Sequence, residues 1–334
     1  MKRLAKIPAT VITGFLGAGK TTLIRHLLEY AGGRRLALII NEFGDIGVDR
    51  NLLTGCGIKA CAEEDIVELA NGCLCCTVAD EFLPALEALL SRPNPPDHIV
   101  IETSGLALPK PLVKAFGWPD VRAKVTVDGV IAVVDAKAFA QGRFADVPLG
   151  EHPDNPLEEV FTDQLHCADM VLVNKTDLLD VTEKKAVLAE LRGRLRPGVH
   201  LVPTAHGAVD IEVLLGLDAR AEDDLSARPS HHDDADGHDH DDFTSFAVNL
   251  PAIADPAGLE ERLRHAIATH DILRIKGFFD VPGKPLRGVV QAVGARLQRG
   301  FDRPWREGEA RRSHLVVIGL KGLDEGAVTA ALTG

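Results

Sequence analysis

A chain of 334 residues, 46% hydrophobic and 26% charged, has room for one large or two ordinary globular domains. Its formal net charge of -12 argues against nucleic acid as a partner, because phosphates would be repelled. With aromatics at only 4% the core has to be built from Val, Leu, Ile and Ala, and no apolar run is long enough to span a bilayer, so no membrane partner is expected.

The basic N-terminus, MKRLAKIPATVITG, has no long apolar core followed by a cleavage site. A cytoplasmic protein is expected, in which thiols stay reduced. Strand-like runs follow at Ala9–Thr13, Leu36–Asn41, His98–Thr103, Val130–Asp135, Met170–Asn174 and Val199–Pro203. Helical patterns lie between them, at Lys20–Tyr30, Ala79–Ser91, Leu157–Cys167 and Thr182–Arg194. Near-continuous apolar strands alternating with helices predict an α/β domain whose doubly wound, mainly parallel sheet is covered on both faces.

The pattern breaks at Ser230–Asp242, SHHDDADGHDHDD, which holds four His and six Asp and nothing apolar larger than Ala. Such a stretch cannot bury surface and is expected to be a linker that could gather metal weakly. Beyond it come strand-like Phe243–Leu250, a helix over Asp255–Thr269, strand-like Leu273–Asp280, a helical or extended stretch from Val289 to Gln298, strand-like Ser313–Gly319 and a short helix over Asp324–Leu332. These predict a second, smaller α+β domain. The expected division is 1–225, a linker at 226–242, and 243–334.

The first chemistry-bearing motif is VITGFLGAGKTTL, which fits G-x-x-x-x-G-K-[ST] at Gly14, Gly19, Lys20 and Thr21. It follows a strand and opens a helix, as a phosphate loop requires. Its glycines let backbone N–H groups face phosphates, and the helix N-terminus adds partial positive charge. Gly14, Gly17, Ala18, Gly19, Lys20, Thr21 and Thr22 are the candidate nucleotide contacts. Lys20 is expected to reach the β- and γ-phosphates and to act in catalysis, and Thr21 to ligate Mg²⁺. The second motif is VLVNKTDLL, with Asn174, Lys175 and Asp177 at the end of an apolar strand. A carboxylate there accepts from both guanine N1–H and the exocyclic amine, a donor pair that adenine lacks, so GTP is the expected nucleotide. VPTAHG, at Thr204–Gly207, is a further candidate base contact. HIVIETSG supplies Glu102 as the carboxylate near Mg²⁺, a second catalytic candidate. NEFGDIGVD, with Glu42, Asp45 and Asp49, suits a loop that responds to nucleotide.

TGFLGAGKTTL, NEFGDIGVD, NGCLCC, IETSG and NKTD together resemble the CobW family of P-loop GTPases. RIKGFFDVPG, VVQAVGAR and SHLVVIG resemble that family's C-terminal domain, so the likeness covers nearly the whole chain. It implies a metallochaperone that uses GTP to load a divalent metal and pass it to a client metalloenzyme. The subgroup named for cobalamin biosynthesis implies Co²⁺, delivered to a cobaltochelatase or another protein of that pathway. Other members imply Zn²⁺.

In that setting Cys73, Cys75 and Cys76 of NGCLCC form a soft-ligand cluster suited to Zn²⁺, Co²⁺ or Cu⁺, with Glu42 or water as a further ligand. Core packing and a Cys73–Cys76 redox pair are the competing readings. Cys56, Cys61 and Cys167 are expected to be ordinary residues. For the whole chain the alternatives are a zinc chaperone of the same family, a metal store or sensor that does not turn over nucleotide, and a thiol oxidoreductase.

Overall fold

The computed structural model describes residues 6–41, 66–69, 82–144, 147–148, 156–230, 243–293, 296–305, 309–320 and 322–334. They fall into two compact units.

The first unit runs β1 (Ile7–Thr13), α1 (Lys20–Glu29), β2 (Leu36–Asn41), β3 (Ile66–Leu69), α2 (Leu83–Leu90), β4 (His98–Glu102), α3 (Pro109–Ala115), α4 (Pro119–Arg122) and β5 (Val125–Asp135). It continues with α5 (Ala136–Ala140), α6 (Pro156–Cys167), β6 (Met170–Asn174), α7 (Val181–Arg194), β7 (His200–Pro203) and α8 (Ile211–Leu214). The seven strands lie in the order β3-β2-β4-β1-β5-β6-β7, and every neighbouring pair is parallel. β4 and β6 are buried at all five positions, as strands covered on both faces must be. On one face Ala9, Val11, Ile99 and Ile101 pack with Phe82, Leu86, Leu112 and Phe116. The alternate residues Ile12, Leu38, Ile40 and Val100 are buried too, facing the other way along the pleat.

Three differences from the sequence expectation have local causes. β3 is a four-residue strand, IVEL, too short for its alternation to stand out. β5 begins at Val125 rather than Val130, because TVD continues an extended run that pairs with Ile7, Pro8 and Ala9 before a bulge. α3 and α4 each have proline in the first turn, a sound helix start that reads as a breaker without its context.

The second unit consists of β8 (Phe243–Leu250), α9 (Pro256–Thr269), β9 (Ile272–Phe279), β10 (Leu286–Val293), β11 (Arg296–Pro304), β12 (Ser313–Leu320) and α10 (Glu325–Thr333). Its sheet is antiparallel, ordered β8-β12-β9-β10-β11. Within the stretch from Val289 to Gln298, Val289–Val293 and Arg296–Gln298 are extended, with Val293 paired opposite Arg296. Leu259, Leu263, Val328 and Leu332 of the two helices pack with Ile275, Phe279 and Val317 of the sheet. No helix among the described residues is long and apolar enough to cross a membrane.

Candidate nucleotide site

The phosphate loop leaves β1 at Thr13 and enters α1 at Lys20. Gly14, Gly17 and Gly19 have φ of 132°, 72° and 107°, values that L side chains rarely adopt. Space is as tight as the dihedrals. A Cβ on Gly14 would lie 2.2 Å from the Val133 carbonyl oxygen, and one on Gly19 would lie 2.4 Å from Asn174 Nδ2. The first turn of α1 carries no acidic residue, so no carboxylate in that turn opposes the attraction of the helix dipole for an anion. A backbone cradle with no room for a Cβ fits a nucleotide's phosphates.

Lys20 is buried, and its Nζ donates to the Gly14 carbonyl at 2.6 Å and the Phe15 carbonyl at 3.2 Å. Its charge therefore sits at the mouth of the loop. Thr21 Oγ1 donates to Glu102 Oε1 at 3.2 Å. Glu102 ends β4 and is in register with Ile12 of β1, which brings it beside the loop. A hydroxyl and a carboxylate so close are hard oxygen donors, and they fit Mg²⁺, which binds through one or two carboxylates plus substrate phosphates. Thr22 follows on α1, half-buried, where Gly207 approaches its backbone.

The turn after Glu102 packs onto the same loop. Thr103 donates from its N–H to the Ile12 carbonyl and from Oγ1 to Thr13 Oγ1, both at 3.0 Å. A Cβ on Gly105 would meet Leu16 Cδ2 at 2.5 Å. Gln164 of α6, fully buried, fastens this turn by donating from Nε2 to the carbonyls of Gly105 and Ala107, each at 3.2 Å.

The base-side motif meets the loop from the other edge. Asn174 Nδ2 donates to the Ala18 carbonyl at 2.9 Å, and its Oδ1 accepts from the Gly207 N–H at 3.1 Å. Lys175 has φ 61°, in the left-handed region, and its Nζ donates to the Gly17 carbonyl at 2.7 Å. Asp177 sits in a 3₁₀ turn, Thr176–Leu178, with its side chain about a third exposed and His206 Nε2 at 3.8 Å. The 204–207 segment is held by Thr176 Oγ1, which donates to the Thr204 carbonyl at 2.9 Å. The phosphate loop, the N-K-T-D turn, Glu102 and the 204–207 segment thus converge at the C-terminal ends of the strands, where open α/β sheets bind ligands. Sequence reasoning did not single out Gln164 or Asp135. Their contacts form only after folding, Gln164 with the carbonyls of Gly105 and Ala107 and Asp135 with Lys175 Nζ, although VVDAK, with its Asp before a helix, does carry a capping signal.

Glu42, Cys73, Cys75 and Cys76 lie outside the described residues, as do Cys56, Cys61 and residues 231–242 of the His/Asp tract. Among the described residues no group of three or more His, Cys, Asp or Glu could hold a metal. Cys167 is a buried free thiol whose pKa burial pushes up to about 12, which leaves it protonated and unsuited to ligation.

Residues 8–203 match the nucleotide-binding domain family CobW/HypB/UreG, and residues 243–334 match the Cobalamin synthesis protein cobW C-terminal domain. The chain belongs to the CobW family. Among CobW relatives, it is 56% identical over 342 residues to the "Zinc chaperone CobW" of a Sinorhizobium species, covering 98% of this chain and 97% of that one. It is 51% identical over 344 residues to the "Zinc chaperone CobW" of Pseudomonas aeruginosa, covering 98% and 91%. It is also 37% identical over 226 residues to the "Zinc-regulated GTPase metalloprotein activator 1" of Schizosaccharomyces pombe, covering 67% of this chain and 52% of that one. The CobW matches account for the phosphate loop and for the antiparallel second unit together.

Proposed function

We propose that this chain is a GTP-hydrolysing metallochaperone, that its cargo is Zn²⁺, and that it hands the metal to a client metalloenzyme. The observation that carries the nucleotide half is the fastening of Asn174 and Lys175 of the N-K-T-D turn to the carbonyls of Ala18 and Gly17 in the phosphate loop. The names of the relatives, zinc chaperone and zinc-regulated GTPase metalloprotein activator, support the cargo half. A thiolate site also holds Zn²⁺ more tightly than Co²⁺ by the usual affinity order. The cobalt expectation rests on the subgroup named for cobalamin biosynthesis alone.

In this reading the loop residues Gly14, Gly17, Ala18 and Gly19 cradle the phosphates with backbone N–H groups. Lys20 leaves the carbonyls of Gly14 and Phe15 to meet the developing charge on the β- and γ-phosphates. Thr21 and Glu102 would hold Mg²⁺, which when bound neutralises phosphate charge. Asp177 accepts from the guanine edge, and Lys175 and Asn174 keep it in register with the loop. Cys73, Cys75 and Cys76, with Glu42, are the proposed cargo ligands. Their place in the sequence, between the Glu42 segment and Glu102, is what would let nucleotide state set metal affinity.

Turnover of GTP against ATP tests the enzyme half. Phosphate release is expected with GTP and Mg²⁺, to be much slower with ATP, and to be lost in Lys20→Ala, which removes the charge on the β/γ-phosphates. Undiminished turnover in Lys20→Ala would contradict the assignment.

A further inference from the structure

Asp135, the last residue of β5, is paired in the sheet with Asn174 and is 8% exposed. Its two carboxylate oxygens do different work. Oδ1 accepts from the N–H groups of Lys137 and Ala138, each at 3.0 Å, and so caps α5. Oδ2 accepts from Lys175 Nζ at 2.5 Å. That ammonium is the one that also donates to the Gly17 carbonyl. Lys175 therefore spans two fixed acceptors while its own backbone is held at φ 61°, a conformation that local preference does not supply.

The same helix braces the base turn from its far side. Lys137 of α5 pairs with Glu183 Oε1 of α7 at 3.3 Å, and Glu183 Oε2 accepts from the Asp180 N–H at 3.0 Å. Asp180 in turn caps α7 through the N–H groups of Thr182 and Glu183, at 2.7 and 2.8 Å. Asp177 thus sits between Lys175, held directly by Asp135, and Asp180, held through the helix that Asp135 caps.

We propose that Asp135 is a positioning residue of the guanine-nucleotide site, acting through Lys175 to hold the Asp177 turn in register with Gly17 of the phosphate loop. The proposal rests on the GTP reading above. In this arrangement Asp135 acts through Lys175 rather than on a reacting atom. Its carboxylate fixes the ammonium, the ammonium fixes the loop carbonyl and the left-handed turn, and the turn presents Asp177. A helix cap alone would need one oxygen and no charge. The charge, buried against a lysine at a nucleotide site, is the part that capping does not explain.

The test uses full-length Asp135→Asn, Lys175→Met and the double variant. Asn keeps one acceptor oxygen for the α5 cap and removes the charge. Direct titration with fluorescent GTP and ATP analogues and steady-state kinetics are read together with melting temperature. Asp135→Asn is expected to weaken GTP binding about tenfold and to raise KM similarly, with a much smaller change in kcat and a reduced preference for GTP over ATP. In the Lys175→Met background the same change should add less than about twofold, because the partner is gone. A lowered melting temperature with unchanged GTP affinity would mean a cap and nothing more, and would overturn the proposal. So would a full tenfold loss on top of Lys175→Met. If Asp135→Asn does not fold, Asp135→Ser retains a capping hydroxyl and carries the same expectations. A wild type that shows no preference for GTP overturns the GTP reading and this inference together, whereas a GTP-selective wild type matched by Asp135→Asn overturns only the role of Asp135.

Discussion

Asn174 reaches from the end of β6 to the carbonyl of Ala18, 2.9 Å away, so the strand that precedes the N-K-T-D turn is bonded to the glycine-rich loop before α1. The two ends of a nucleotide would therefore be bound by parts already fixed to each other. Such preorganisation lowers the ordering cost of binding.

This contact leaves no room for a side chain at the neighbouring glycine. Gly19→Ala would place its Cβ 2.4 Å from Asn174 Nδ2 at a φ of 107°. Displacing Asn174 and straining the loop should each cost on the order of 1 kcal/mol or more, so GTP affinity should fall by more than about tenfold. Fluorescence titration with a GTP analogue, beside an unchanged circular dichroism spectrum, measures it.

Asp177→Asn should erode the preference for guanine. An amide offers one acceptor and presents a donor where guanine also donates, so the GTP-to-ATP affinity ratio should drop by at least about tenfold. The matching check is competition between the two nucleotides in wild type and variant. An unchanged ratio would show that the base is read elsewhere.

Acid should destabilise the first unit through His98. This imidazole is buried, shares a 2.7 Å hydrogen bond with Thr10 Oγ1, and faces the Asp128 carboxylate and the Arg34 guanidinium. Burial lowers its pKa from 6.5 to about 4, partly offset by Asp128 and reinforced by Arg34. The folded state thus keeps His98 neutral while the unfolded chain takes up a proton below pH 6.5. Stability from this group is complete above that pH and is lost as pH falls towards 4, by about 3 kcal/mol in all. Urea unfolding across that window should show the loss, and His98→Gln should flatten it.

Much of this was legible in the sequence because it is local. The phosphate loop, N-K-T-D and Glu102 each end a strong apolar strand, and a parallel sheet brings strand ends to one edge. β2 and β6 could be bounded to the residue, since LALIIN and MVLVN are unbroken apolar runs closed by a polar Asn. The antiparallel pair β10 and β11 is harder to read, because LRGVVQAV and RLQRGFDRP mix glycine and arginine into strands whose pairing decides their conformation. Least legible were the partners in space. The bond from Gln164 to the turn after Glu102 spans 59 residues to Gly105, and that from Lys175 to Asp135 spans 40, and neither leaves a periodic trace.

In the proposed function GTP controls metal affinity, and a Zn²⁺ competition titration of the full chain in two nucleotide states tests this most directly. With Mg²⁺ and a non-hydrolysable GTP analogue, Zn²⁺ should bind at least about tenfold more tightly than with GDP, a coupling in the range usual for linked sites. Cys75→Ser combined with Cys76→Ser should abolish the tight binding while nucleotide still binds. Equal Zn²⁺ affinity with the GTP analogue and with GDP would contradict the account.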